Sequence, residues 1–154
     1  MILANMQAMA MLRDLARDSS DKAVKDLGQL QRQRQEAETR LEQLLQYREE
    51  YQHKLHASLT EGVSSTQWRD FQQFLGSLDS AIAQQRRVLS EQESRVENGV
   101  TRWRGEQRKL NAYDTLYARG ERDQLQHHAR AEQRHSDEMA AQLRRRQQDN
   151  GRTY

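Results

Sequence analysis

The sequence predicts an all-α protein whose fold is a long antiparallel two-helix coiled-coil hairpin. In the second half of the chain, apolar residues recur at every seventh position, the spacing at which a helix buries one seam against a partner helix. No proline interrupts the 154 residues, and Gln, Arg, Glu, Leu and Ala, all favourable helix formers, dominate the composition. With 34% hydrophobic and 31% charged residues, the chain is too polar for a compact core, so we expect an elongated molecule.

The heptad repeat of the second half defines the predicted core of the second helix. Such a regular apolar row in a polar chain indicates that one face of the helix is buried. The row consists of Trp68, Leu75, Ile82, Leu89, Val96, Trp103, Leu110 and Tyr117.

The first half carries a patchier heptad repeat, which predicts the other helix. A second row, Leu27, Leu41 and Leu55, is interrupted by Arg34 and Arg48, so this helix is the less regular partner. We expect Leu30 and Leu44 to form its strongest core layers, opposite Val96 and Ile82. The main row consists of Met9, Ala16, Ala23, Leu30, Ala37, Leu44 and Tyr51.

The turn between the helices is predicted at about residues 60–66. Gly62 suits the left-handed position that ends many helices. Ser64 and Gln67 have the spacing of a capping box, in which each side chain bonds the backbone of the other residue. The chain should therefore reverse near Val63.

A reversal near Val63 places large core residues of one helix opposite small ones of the other. Trp103 then faces Ala23, and Gly99 faces Leu27, an arrangement that lets the two helix axes stay parallel at native packing density. This complementarity favours a hairpin within one chain, and a monomer when the protein is isolated. The alternative is a self-assembling rod, which would form a homodimer in solution.

The same register leaves the end of the chain without a partner helix. Residues 1–125 form the predicted hairpin, and beyond them no first-helix residue is left to pair. Residues 126–154 are therefore predicted to be a single helix or a disordered overhang.

Composition also argues against several classes of function. A two-helix rod offers no water-excluded pocket, so we expect no enzyme activity and no cofactor. The histidine pairs His53 with His56 and His128 with His135 fall outside the core rows, which favours surface histidines over a metal site. Cysteine is absent, which excludes thiolate metal sites.

Nucleic acids and direct membrane insertion are not expected either. The net charge of +2 comes from interspersed residues of both signs, and the only basic run is the short cluster of residues 144–146. No segment approaches the roughly 18 uncharged apolar residues that span a bilayer. Any association with a membrane should therefore pass through a partner protein.

A stripe of apolar residues beside the core rows lies close to the predicted turn. Tyr47 and Phe74 sit one step outside the core positions, and the register places Tyr47 opposite Leu78 and Tyr51 opposite Phe74. Leu44 and Ala81 extend the stripe. Two interpretations are open: the residues broaden the seam, or they form a docking surface with exposed rings as hot spots.

Three segments resemble the FliJ family of bacterial flagellar export proteins. They are QYREEYQHKL from Gln46, STQWRDFQQFLGSLDSAI from Ser65 and VTRWRGEQRKLNAYDTL from Val100. The likeness covers most of residues 12–120 in order and without gaps, including the turn and both tryptophans.

The resemblance implies a non-enzymatic stalk in the flagellar type III export apparatus, similar to the central stalk of rotary ATPases. Its open end would enter the hexameric ring of the export ATPase FliI. Its turn-proximal part would meet the cytoplasmic domain of the export gate protein FlhA, with FliH in the same assembly and export chaperones as further partners. The implied location is cytoplasmic, peripheral on the inner membrane at the flagellar basal body, with roles in flagellum biogenesis, motility and chemotaxis.

The resemblance also implies which residues bind the export gate. Glutamine is common in the family in place of Arg40, and histidine in place of Gln85, so the edges of this surface depart from the family pattern. The alternative function is an adaptor that escorts export chaperones or substrates without driving the ATPase. The implied gate-binding residues are Arg40, Leu44, Tyr47, Tyr51, Phe74, Leu78, Ala81 and Gln85.

Overall fold

Two helices account for nearly all of residues 2–152, the part of the chain that the structure describes. In this computed structural model, α1 spans Ile2–Glu61 and α2 spans Ser65–Gly151. The two helices pack against each other, and the described residues contain no strand, which confirms the predicted all-α helical hairpin. The ends of the predicted ranges, Met1 and residues 153–154, lie outside the described residues.

The connection between α1 and α2 has the local chemistry that the sequence predicts. Gly62 follows the last residue of α1 with a φ of 92°, and its N–H donates to the Leu59 carbonyl oxygen at 3.4 Å. The Gln67 N–H donates to Ser64 Oγ at 3.2 Å, and the Ser64 N–H donates to Gln67 Oε1 at 3.3 Å. This reciprocal pair is a capping box at the start of α2.

Replacing Gly62 with alanine is expected to lower the free energy of unfolding by about 1 kcal/mol, because a Cβ is strained at positive φ. Chemical unfolding followed by far-ultraviolet circular dichroism measures this change. Asparagine tolerates the left-handed region better, so Gly62→Asn should cost less than Gly62→Ala. Equal stability of all three proteins would contradict the role assigned to this glycine.

The structure divides into two compact units. Unit 2 comprises Ser19–Glu106, with α1 and α2 antiparallel. Its apolar core contains Ala23, Ala37 and Leu55 of α1 with Leu78 and Ile82 of α2. A Cβ on the buried Gly99 would lie 3.3 Å from Leu27 Cδ1, so the predicted pairing of Gly99 with Leu27 is confirmed.

Polar residues interrupt the seam of unit 2, as the patchy first heptad predicts. Arg34 Nε and Gln92 Oε1 are buried without a hydrogen-bond partner among the described residues, and so is the indole N–H of Trp103. Buried donors and acceptors without partners cost free energy. These layers therefore stabilise the hairpin less than the leucine and isoleucine layers do.

Every member of the predicted core row of α2 except the first is buried or half-buried. Trp68 is 41% exposed, so its assignment to the core was wrong. A heptad row drifts by about 20° per heptad on a straight helix, which makes the end of a row the position most easily turned out of the seam. Leu30 and Leu44 of the predicted α1 core are half-buried. In the α2 row Ile82 is buried, and the half-buried members are Leu75, Leu89, Val96, Trp103, Leu110 and Tyr117.

Unit 1 combines the described residues of Met1–Asp18 with those of Gln107–Tyr154. Ala16 is buried, and the Arg13 guanidinium lies 4.3 Å from the centroid of the Tyr117 ring, a cation–π contact. From Leu125 to Arg152 every residue is exposed, although α2 continues to Gly151. The overhang is therefore helical as far as Gly151, while its separation from the hairpin at residue 125 stays a prediction.

Candidate functional site

Four aromatic residues of unit 2 form a cluster near the turn, which we call the aromatic stripe. Tyr47 and Tyr51 are one turn apart on α1, and Phe71 and Phe74 are one turn apart on α2. Side chains spaced three or four residues apart share a helix face. The antiparallel pairing of the helices brings the two faces together.

The rings of the stripe contact one another across the two helices. Tyr51 lies between the two phenylalanines, with centroid distances of 4.4 Å to Phe74 and 5.5 Å to Phe71. Tyr47 meets Phe74 edge-on at 6.0 Å with an interplanar angle of 72°. Contacts of this geometry stabilise a pair by roughly 0.5–1.5 kcal/mol beyond simple burial.

The exposure of the rings differs across the stripe. Tyr51, Phe71 and Phe74 are half-buried, so they broaden the seam, as one of the two interpretations of the sequence holds. Tyr47 is 51% exposed and leaves much of its ring available to a partner. An accessible ring supported by a packed aromatic cluster is the arrangement expected of a hot spot.

Two polar cross-links join α1 to α2 close to the stripe, both on the side away from the turn in the sequence of α2. Arg48 Nε donates to Asp79 Oδ1 at 2.6 Å, and Gln85 Nε2 donates to the Ala37 carbonyl oxygen at 3.0 Å. The hydrogen bond and the charge of Asp79 raise the pKa of Arg48 above its ordinary value. Both bonds join α1 to α2 on the C-terminal side of Leu78 in the sequence of α2, so they help to fix the register of the helices next to the rings.

The structure distributes the predicted gate-binding residues between surface and core. Arg40 and Tyr47 are exposed, whereas Leu78 is only 6% exposed and belongs to the core. Its place on an exposed stripe is therefore corrected: Leu78 lies one heptad from Phe71, on the row that faces α1. The half-buried members are Leu44, Tyr51, Phe74, Ala81 and Gln85.

Phe71 is the member of the stripe that the sequence analysis missed. A signal for it existed, because Phe71 is one heptad before Leu78 and two heptads before Gln85. The predicted reversal near Val63 puts this second row of α2 opposite Leu55, which is buried. Extending that row to its first position would have placed Phe71 in the seam.

The histidine pairs that the sequence analysis considered as metal sites lie on exposed faces of the helices. Among residues 2–152, no group of three His, Asp or Glu side chains has a geometry that could hold a metal ion. His53 Nε2 lies 3.9 Å from Glu49, and His128 Nε2 lies 3.3 Å from Glu132, all exposed. Within the same residues, neither helix contains a stretch long and apolar enough to cross a membrane.

Unit 1 contains a groove of about 990 Å³. Leu3 and Met6 of α1 and Tyr117 and Leu125 of α2 provide its apolar wall, and His128 is among its polar residues. The groove lies where α1 begins and the seam face of α2 continues. It is a surface suited to a partner side chain or helix rather than an enclosed cavity.

Comparison with known proteins identifies the family. The profile of the family described as "Flagellar FliJ protein" matches residues 6–149, which extends beyond residues 12–120 into the overhang. The flagellar FliJ protein of Escherichia coli (strain K12) is 33% identical over 138 residues, covering 90% of this chain and 94% of that protein. The flagellar FliJ protein of Salmonella typhi matches with the same identity and coverage. The chain therefore belongs to the flagellar FliJ protein family.

Proposed function

We propose that this chain is the stalk of the flagellar type III export apparatus and couples the export ATPase ring to the membrane export gate. Membership of the flagellar family supports a role in flagellar export. The observation that carries the finer proposal is the exposed Tyr47 ring on a packed aromatic cluster, in a unit whose two helices are cross-linked in register.

The proposed mechanism is mechanical rather than chemical. Two helices joined by interlocking side chains resist sliding, because a shift would separate Gly99 from Leu27 and break the Arg48–Asp79 pair. An ATPase ring that surrounds an asymmetric helix pair presents each subunit with different neighbours. Sequential hydrolysis could then be coupled to the state of the gate without any catalytic residue in this chain.

We assign gate binding to one unit and ATPase binding to the other. In unit 2, the aromatic stripe is the proposed surface for the cytoplasmic domain of the gate protein FlhA. In unit 1, the groove beside Met6 and Tyr117 and the exposed helical overhang are the proposed region for the FliI ring. FliH and export chaperones would be further members of the assembly, held at the cytoplasmic face of the inner membrane through these partners.

Adding the purified chain to the purified ATPase ring is expected to raise the rate of ATP hydrolysis. A stalk contributes to turnover, whereas an adaptor that only escorts chaperones does not. Tyr47→Ala serves as the matched variant, because the aromatic stripe is assigned to the gate and this variant should still stimulate the ring. No stimulation by the unaltered chain would favour the escort function.

A further inference from the structure

A separate exposed apolar surface lies in unit 1. Met11, Leu12 and Leu15 of α1 are 66%, 43% and 56% exposed, and Leu116 of α2 is 43% exposed. Ala8 and Ala112, one turn away along each helix, are exposed as well. We call these six residues the leucine patch. Contiguous exposed apolar residues of this kind mark surfaces that bind a partner.

The two helices contribute to the same side of the unit. The contact of the Arg13 guanidinium with the Tyr117 ring shows that both residues face the seam between the two helices. In an antiparallel pair, the residues that immediately precede two seam residues are both turned to one side of the seam. Leu12 and Leu116 precede Arg13 and Tyr117, so they adjoin, and the remaining members continue the patch one turn away.

Charged residues border the leucine patch with opposite signs on the two helices. On α1 the exposed Asp14 and Asp18 lie beside the patch, and on α2 the exposed Arg108 and Arg119 lie beside it. A partner surface of one sign would leave one border facing like charge. A second copy can be related to the first by a two-fold axis parallel to the helices. In that arrangement α1 of each copy lies over α2 of the other, which brings Asp18 of one copy towards Arg108 of the other.

The size of the patch sets the strength of such a contact. Stable complexes bury about 800 Å² on each partner, more than four large side chains and two alanines supply. The contact should therefore be weak and concentration-dependent. The sequence predicts a monomer when the protein is isolated, so we expect the dimer to form only at high concentration.

We propose that the leucine patch is a self-association surface, through which two copies of this chain form a reversible dimer with unit 1 packed against unit 1. The dimer covers exposed leucines that would otherwise face water. The inference depends on unit 1 alone, and its test by sedimentation requires none of the partners of the proposed stalk function.

Sedimentation velocity of the full chain over a concentration series tests the proposal. We expect a monomer at low concentration and a dimer at high concentration, and we expect Leu12→Glu with Leu116→Glu to weaken dimerisation at least about tenfold. Both positions are exposed, so the circular dichroism spectrum should not change. The matched control is Met139→Glu, which alters an equally exposed side chain of the overhang and should leave the dimer intact.

A charge exchange tests the arrangement of the two copies. Asp18→Arg alone and Arg108→Asp alone should each weaken the dimer, and the two together should restore it, because the pair is re-formed across the interface. A chain that remains monomeric at every concentration overturns the proposal, as does a dimer that survives the glutamate variants. If the chain stays monomeric but the glutamate variants abolish ATPase stimulation, the patch belongs to the ATPase contact instead.

Discussion

Replacing Gly99 with leucine is expected to lower the free energy of unfolding by about 2–3 kcal/mol, a large share of the stability of a two-helix seam. A Cβ at this position would lie 3.0 Å from Leu30 Cδ1 and 3.3 Å from Leu27 Cδ1, before the rest of the leucine side chain is placed. Leucine is the better helix former by about 1 kcal/mol, but this gain does not offset the overpacking. Chemical unfolding followed by circular dichroism measures the difference.

Gly76→Ala provides the matched control on the same helix. Gly76 is exposed, and a Cβ there would meet no atom within 4 Å. This substitution should therefore raise the free energy of unfolding by up to about 1 kcal/mol through helix propensity. If the free energy of unfolding falls for Gly99→Leu and rises for Gly76→Ala, the difference is due to packing in the seam. A Gly99→Leu protein as stable as the original would mean that α1 does not pack over Gly99.

The sequence was sufficient to predict the turn and the register because both depend on local or periodic signals. The left-handed Gly62 and the Ser64–Gln67 capping box are fixed by residues within one helical turn of each other. The pairing of Gly99 with Leu27 follows from two heptads and one point of reversal. Neither prediction required knowledge of how any side chain is oriented.

Predictions that depend on the rotation of each helix about its own axis were less successful. Heptad spacing identifies which residues share a row, but it does not say how far the end of a row is turned from the partner. Trp68 was consequently assigned to the core, and Leu78 to the surface. Heptad spacing also does not predict which distant group a long side chain will contact. The hydrogen bond from Arg48 to Asp79 is an example.

Tyr47→Ala is expected to weaken binding to the cytoplasmic domain of the export gate protein by at least about 30-fold, the effect of losing a hot spot of about 2 kcal/mol. Tyr47 is 51% exposed and contacts Phe74 only edge-on, so its truncation removes accessible aromatic surface while most of the seam remains. Isothermal titration of the purified domain with each variant measures the change. Leu45→Ala is the matched control, because Leu45 is an exposed apolar residue of α1 outside the stripe and should bind unchanged.

Phe74→Ala should separate the structural and the binding roles of the aromatic stripe. Phe74 supports both tyrosines, at 6.0 Å from Tyr47 and 4.4 Å from Tyr51, so its loss should reduce stability and affinity together. The double variant should lose less binding free energy than the sum of the losses caused by Tyr47→Ala and Phe74→Ala alone. The reason is that without Phe74 the Tyr47 ring is no longer held in place. If instead Tyr47→Ala destabilises the fold as much as Phe74→Ala and leaves gate affinity unchanged, the ring serves the seam alone and the gate must bind another surface.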